Sequence, residues 1–353
     1  MSDRESQVRA KALSLGFDAV GFARADVPLD ADHARYEAFL DAGMHGTMKY
    51  LAENREVRRR VDTDAILLGA RTVVCVARRY RRDAESEASD PPIAQRVARY
   101  ARGRDYHNAV RKKLRQLAAF LRSLGSVDEP VEARPIIDDI PTLERAWAAR
   151  AGLGFVGKNG MLIVPGEGSF VLLGEVVTTL VLAPDEPMTE RCGSCTRCLE
   201  ACPTQAFARP FVLDAQKCIA YLTIELRGPV PVELRSGVGE HLFGCDDCQT
   251  VCPFNASAKP RDPVKTRLFE PLPLFATLTE TELLALDEAE WSALFEGSPL
   301  KRAELAGIAR DAAIVLGNRG DASARPALLR ASQTHPSSVV RDAALWALTQ
   351  LDS

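Results

Sequence analysis

The sequence predicts a mixed α/β domain over residues 1–185, a cysteine-rich module over 186–258, and a linker with an α-helical repeat over 259–353. Three observations predict this division. Short β-rich runs alternate with amphipathic helical stretches through the first half. Eight of the nine cysteines lie between Cys192 and Cys252. A five-residue motif recurs near the C-terminus.

In the first half, Ala19–Phe22, Thr72–Ala77, Val131–Ile137, Met161–Val164 and Phe170–Leu182 read as strands. Asp105–Leu124 and Pro141–Ala151 read as helices, with Pro141 suited to a first turn and Gly152 to a C-terminal end. Residues 81–92 form a polar, Pro-ended loop, and Cys75, within TVVCVA, is expected to be a buried strand residue. Past the cysteines, Pro260, Pro263, Pro271 and Pro273 mark a linker. In the tail, Arg310-Asp311-Ala312-Ala313-Ile314 returns 31 residues later as Arg341-Asp342-Ala343-Ala344-Leu345. Each copy is expected to open a helix, with Pro326 starting the helix between them. The spacing fits a pair of HEAT-type repeats, too few to stand alone and so expected to dock on the rest of the protein.

Composition excludes several classes. Of 353 residues, 46% are hydrophobic and 26% charged, the proportions of a soluble globular protein. No apolar run reaches the ~18 residues that span a bilayer, and Met1–Ala10 is too polar for a secretory signal. A cytoplasmic protein without membrane contact is expected. The net charge of −3 argues against non-specific nucleic-acid binding, but residues 55–115 hold 17 Arg/Lys against 8 Asp/Glu. Such runs are ordinarily solvated faces; the alternative is a phosphate-contacting surface.

The cysteines carry the clearest chemistry. Cys192, Cys195, Cys198, Cys202 and Pro203 make C-x2-C-x2-C-x3-C-P, the bacterial ferredoxin run. A second half follows as Cys218, then Cys245, Cys248, Cys252 and Pro253. Each [4Fe–4S] cube needs four thiolates, and in two-cluster proteins the last cysteine of each run serves the other cluster. One cluster is therefore assigned to Cys192, Cys195, Cys198 and Cys252, the other to Cys202, Cys218, Cys245 and Cys248. Structural zinc is the alternative, but zinc sites do not call for two C-x3-C-P endings. Clusters ligated wholly by cysteine relay electrons rather than perform chemistry, so an acceptor is expected in the 185 upstream residues.

Two further stretches bear on that acceptor. Gly152, Gly154 and Gly157 match G-x-G-x-x-G, but they follow a helical pattern and precede a strand, the reverse of a dinucleotide site. No nicotinamide site is expected; the backbone there passes close to something bulky. Just upstream, Asp138 and Asp139 stand at a strand end before a helix. Asp139 reads as a helix cap, and Asp138 reads equally as a cap or as a proton donor projecting into a pocket.

Together, IDDIPTLERAWAARAGLGFVGKNGMLI, GSFVLLGEVVT, CGSCTRCLEACPTQAF, KCIAYLTIELRG, FGCDDCQTVCPFN and ARGRDYH closely resemble the epoxyqueuosine reductases, over nearly the whole chain. The resemblance implies an N-terminal cobalamin-binding domain related to reductive dehalogenases, two [4Fe–4S] clusters and a repeat tail that helps to hold tRNA. It implies reduction of epoxyqueuosine to queuosine at the tRNA wobble position, with electrons from an external low-potential donor of the ferredoxin or flavodoxin type. A monomer is expected. The family's proton donor falls on Asp138, and its cobalamin contacts fall on Arg60, Leu162, Ser169, Leu173, Asp246 and Asp247. A cobalamin-adjacent cysteine of some members falls near Ala98. Arg227, after YLTIE, is a candidate tRNA contact, as are Arg58–Arg60, Arg78–Arg82 and Arg96–Lys113. Burial and the neighbouring Asp139 are expected to raise the pKa of Asp138 so that it holds a proton. Asp105-Tyr106-His107 begins the D-x-H-x-x-G pattern of axial cobalt ligands but ends in Val110. Base-off cobalamin is therefore expected, with His107 hydrogen-bonding or facing tRNA. The alternatives are a corrinoid reductase of a small molecule, as in the dehalogenases, and an electron carrier with added domains.

Overall fold

A computed structural model describes residues 3–138, 140–258 and 267–352. Its N-terminal half is built on four antiparallel strands in the order β1-β2-β6-β3: β1 (Ala19–Arg24), β2 (Thr72–Arg79), β3 (Ala133–Ile136) and β6 (Val171–Thr178). Between β3 and β6 in the chain, β4 (Phe155–Val156) and β5 (Leu162–Ile163) form a small hairpin. Every residue of β2 is buried, as its unbroken apolar run requires of a central strand covered on both faces.

The two faces carry different helices. On one, Asp3–Ser14 and Tyr106–Arg122 set Val8, Leu114, Leu117 and Leu121 against Phe22, Val74 and Val176. On the other, the helix Glu144–Arg150 packs Trp147 and Ala148 over Val73, Cys75, Ile136 and Val177. Tyr106–Arg122 is amphipathic with helical period, and the Asp105 carboxylate caps it by accepting from the His107 N–H at 2.9 Å.

Several expected boundaries move, each for a local reason. The helix expected from Pro141 starts at Glu144, because residues 140–142 form a tight turn (Thr142 N–H to Ile140 O, 2.7 Å) and the Glu144 side chain turns back to Asp138. Within 81–92, Ala84–Ala88 is a short helix capped by Asp83, which accepts from the Ser86 N–H. Gly154 behaves as expected of a close approach: a Cβ there would stand 2.0 Å from the carbonyl oxygen of Ile163. Asp139, Pro260 and Pro263 lie outside the described residues.

The tail docks on the cysteine module. Ile308, Ala312 and Val315 share a core with Ile219, Leu222 and Phe243. Ile93, Val97 and Ala101 enter the same core, drawing residues 93–101 against the cysteine loops. The first motif copy lies inside the helix Glu304–Arg319 rather than at its start. There Arg310, fully buried, donates to Leu222 O at 2.6 Å, Leu226 O at 2.7 Å and Gly228 O at 2.8 Å, and pairs with Asp311. Pro326 stands in the first turn of Arg325–Thr334, as expected. The second copy lies in the first turns of Ser338–Leu351, where Asp342 pairs with Arg235.

Candidate active site

The eight clustered cysteines converge in two sets of four. Cys192, Cys195, Cys198 and Cys252 wall one pocket with Ile163, Pro253 and Phe254. Lys158 braces its loop, donating to Gly193 O at 2.5 Å and Cys195 O at 3.0 Å. Cys202, Cys218, Cys245 and Cys248 form the second set, each close enough to perturb the titration of others in it. Burial raises the thiol pKa of Cys192 to about 11 and pushes up those of Cys198, Cys218, Cys245 and Cys248. Crowded, proton-retaining thiols are what a metal centre converts to thiolates. Four sulfur donors per set fit a [4Fe–4S] cube, and the sets are those the spacing assigned.

The second site centres on Asp138, two residues beyond β3. Its backbone is left-handed (φ 44°), a strained conformation for a non-glycine residue. The Tyr106 hydroxyl donates to its Oδ2 at 3.1 Å, and His107 Nε2 lies 3.2 Å from the same oxygen. His107 Nδ1 lies 2.6 Å from Asp105 Oδ1, so the imidazole bridges two carboxylates. The Asp138 N–H donates to Glu144 Oε1 at 2.9 Å. Beyond this cluster, Arg302 from the tail stacks over Tyr50 at 5.5 Å and holds Glu225 with two bonds of 2.9 Å.

This geometry reverses the expected titration. The hydrogen bond from His107 outweighs burial and holds the Asp138 carboxyl below its ordinary pKa. Hydrogen bonds to Asp105 and Asp138 push His107 up to about 9. At neutral pH the proton of the pair therefore rests on the imidazole, hydrogen-bonded to Asp138. The reason is that the His107 cation is the foremost group acting on Asp138.

The other expected contacts are placed unevenly. Residues 97–99 run beside 243–246: the Ala98 N–H donates to Phe243 O and the Arg99 N–H to Asp246 Oδ2, both at 2.8 Å. Ser169 is tied to the same module, its hydroxyl donating to Gln249 Oε1 and its N–H bonding Asn255 Oδ1. Asp247 accepts from His241 at 3.0 Å. Leu162 and Leu173 join the apolar cluster that holds Ile140 and Leu143 of the Asp138 loop. Arg60, paired with Asp62 at 3.6 Å, is exposed. Arg227 spends its guanidinium inside the protein, on Glu304, Ile224 O and Arg302 O. Tyr106, Tyr50, Glu225, Glu144 and Arg302 escaped the sequence reading. Tyr106 adjoins His107 in a quoted motif, but nothing local marks Arg302, which reaches the site from the tail.

The structure also offers a seat for a large flat cofactor. Val171, Leu172 and Leu173 are only partly covered, whereas the rest of β6 is buried. Incomplete cover on an inner strand, two residues from the pair Ile136–Glu175 that leads into Asp138, provides an apolar shelf beside an acid. A corrinoid ring fits such a shelf.

Part of the basic run turns inward. Arg58, Arg78, Arg79, Arg82 and Arg102 are buried, with Arg82 and Arg102 sharing Asp90. Arg96 holds Glu240 and Glu280, and Arg99 holds Glu87 and Asp246. One outward basic surface is the face of Tyr106–Arg122 that lines an open groove with Asn108, Arg111, Lys112, Arg115 and Gln116.

Electrons held at two four-thiol cradles and a proton held at Asp138–His107 serve reductive chemistry, which makes this an iron–sulfur oxidoreductase. Residues 191–255 match the 4Fe-4S double cluster binding domain, and residues 60–139 match the family described as epoxyqueuosine reductase QueG. An epoxyqueuosine reductase of Xanthomonas campestris pv. campestris is 39% identical over 99% of this chain and 96% of its own. One from Gloeobacter violaceus is 40% identical over 92% and 99%. Among solved structures, an epoxyqueuosine reductase with an epoxyqueuosine-modified tRNA-Tyr stem loop superposes with TM-score 0.87 at 33% identity, covering 99% of this chain and 90% of that one. The Bacillus subtilis enzyme, solved with its catalytic aspartate loop swung out of the active site, gives 0.86 at 33%, with the same coverage. The chain belongs to the epoxyqueuosine reductase family.

Proposed function

We propose that the protein reduces epoxyqueuosine to queuosine at the wobble position of tRNA, the last step of queuosine biosynthesis, using cobalamin and two [4Fe–4S] clusters. The observation that carries this reading is the proton-loaded Asp138–His107 pair beside an apolar shelf and two four-thiol cradles, in a chain related over its full length to enzymes of that name.

When bound, cobalamin supplies a strongly reducing, nucleophilic cobalt centre. Leu162, Leu173, Ser169, Ala98 and Asp246, with Arg60 at the rim, would hold it, and Asp247 would help through His241. Low-potential electrons are within the range of such clusters. The Cys192 set would hold the cluster that faces a donor of the ferredoxin or flavodoxin type. The Cys202 set would hold the cluster nearer the cobalamin, because Asp246, between Cys245 and Cys248, accepts from Arg99.

His107 holds a proton against Asp138, and Asp138 relays it from the imidazolium to the epoxide oxygen as the carbon–oxygen bond breaks. Tyr106 fixes the carboxylate in position. The face bearing Arg111, Lys112 and Arg115 contacts tRNA phosphates, and the wobble base enters splayed from its stack, as single-stranded RNA readers require. We assign catalysis to residues 1–185, electron relay to 186–258 and a HEAT-like supporting tail to 259–353, in a cytoplasmic monomer. Anaerobic incubation of the reduced protein with an epoxyqueuosine-containing stem loop should yield queuosine; failure to convert it would overturn the reading.

A further inference from the structure

Expelling an epoxide oxygen as water breaks both carbon–oxygen bonds, forms the alkene, and consumes two electrons and two protons. The electrons come from the reductant by way of the clusters. One proton sits on His107, bonded to Asp138. Asp105 and Asp138 are hydrogen-bonded as carboxylates, and burial keeps Tyr100 and Tyr106 protonated far above neutral pH. Once an anticodon loop covers the mouth, the second proton must come from inside the protein.

Glu175 is the group the mechanism leaves unused. It sits in the middle of β6, opposite Cys75 of β2 and Ile136 of β3, and is 1% exposed. Neither of its carboxyl oxygens has a hydrogen-bond partner among the described residues. A buried, unpartnered acid contributes nothing to a sheet that an apolar residue would fill better. The groups bearing on it are Glu144 from the helix above and Asp138 beyond β3, and each favours its neutral form, as burial does. Cys75, across the strand pair, is itself held as a thiol. Burial without a hydrogen-bond partner, with two carboxyl groups bearing on it, therefore favours the protonated form of Glu175.

Its position relates it to the site. Ile136 pairs with Glu175, and the chain reaches Asp138 two residues later. Glu144 bears on both acids: it accepts from the Asp138 N–H and is the foremost charge acting on Glu175. We propose that Glu175 stores the second proton of each turnover and passes it through Glu144 to Asp138 when RNA closes the mouth. Glu175 is left as a carboxylate, its proton departs in the water formed, and after product release solvent reloads it along the same path. His107 and Glu175 together then hold two protons, the number the reaction consumes. The inference rests on the epoxide-reducing reading above.

Two measurements on the cobalamin-loaded protein test it. Infrared difference spectra of wild type against Glu175→Gln should show a protonated-carboxyl band that the variant lacks. With clusters and cobalamin reduced beforehand, Glu175→Gln should slow single-turnover conversion of an epoxyqueuosine stem loop roughly tenfold. Half-saturating RNA, iron content and cobalamin content should stay at wild-type levels, and Glu144→Gln should reproduce the defect. A missing band, a wild-type rate in Glu175→Gln, or a loss that merely tracks lost cobalamin would overturn the store. A wild type that leaves the stem loop unconverted contradicts the functional reading instead.

Discussion

At the scale of the residue, the chemistry turns on where one proton rests. The family resemblance pointed to Asp138 as the proton donor, but its protonation was not legible. The groups that set it, Tyr106 and His107, are 32 and 31 residues away in sequence. Asp138→Asn should abolish turnover while cobalamin remains bound, checked by conversion assay and visible absorption; wild-type activity in that variant would remove Asp138 from the mechanism. His107 titrates at about 9 against an ordinary ~6.5, so it is charged below 9 and loses its proton as pH rises through that value. Turnover should hold at neutral pH and fall across that limb. His107→Gln should lower the rate on the order of a hundredfold and flatten the limb, read from a pH–rate profile. The same pairing stabilises the fold fully below about 6.5 and ceases to as pH passes 9.

At the scale of the element, the periodicity that marked Tyr106–Arg122 as a helix also sorted its faces. Val110, Leu114, Leu117 and Leu121 turn to the sheet, and Arg111, Lys112 and Arg115 to solvent. The sequence could not tell these cations from the buried arginines before them, because charge alone carries no information about partners. Replacing the three with Gln should weaken binding of the stem loop and reduce its salt slope by roughly 2 to 3, at about 0.7 to 0.9 per phosphate contact; an unchanged slope would place the RNA elsewhere. The helix start at Glu144 was hidden for a related reason, since its side chain serves Asp138 across the turn. The tail repeat was visible as a repeat, but the task of Arg310 was not. Arg310→Met should strip the donors from three carbonyls and leave Asp311 buried and unpaired. A loss of about 3 to 5 kcal/mol is expected in denaturant unfolding; a loss under ~1 kcal/mol would mean the tail is held otherwise.

At the scale of the whole molecule, the cysteine framework was the most legible part, because cluster ligation fixes both spacing and the exchange of fourth ligands. The structure brings together the two sets of four that the spacing assigned. Less legible was how the parts join. Residues 93–101 leave the catalytic half to enter the core shared by module and tail, and Arg302 carries the tail to the mouth of the acid site. Such contacts have no local signature, yet they set the cysteine module, Asp138 and the tail in one frame. The most direct measurement is anaerobic conversion of an epoxyqueuosine stem loop by reduced, iron-loaded protein with and without cobalamin. Queuosine should form only with cobalamin present; equal conversion in its absence, or conversion by protein holding zinc in place of iron, would contradict the relay from clusters to corrinoid.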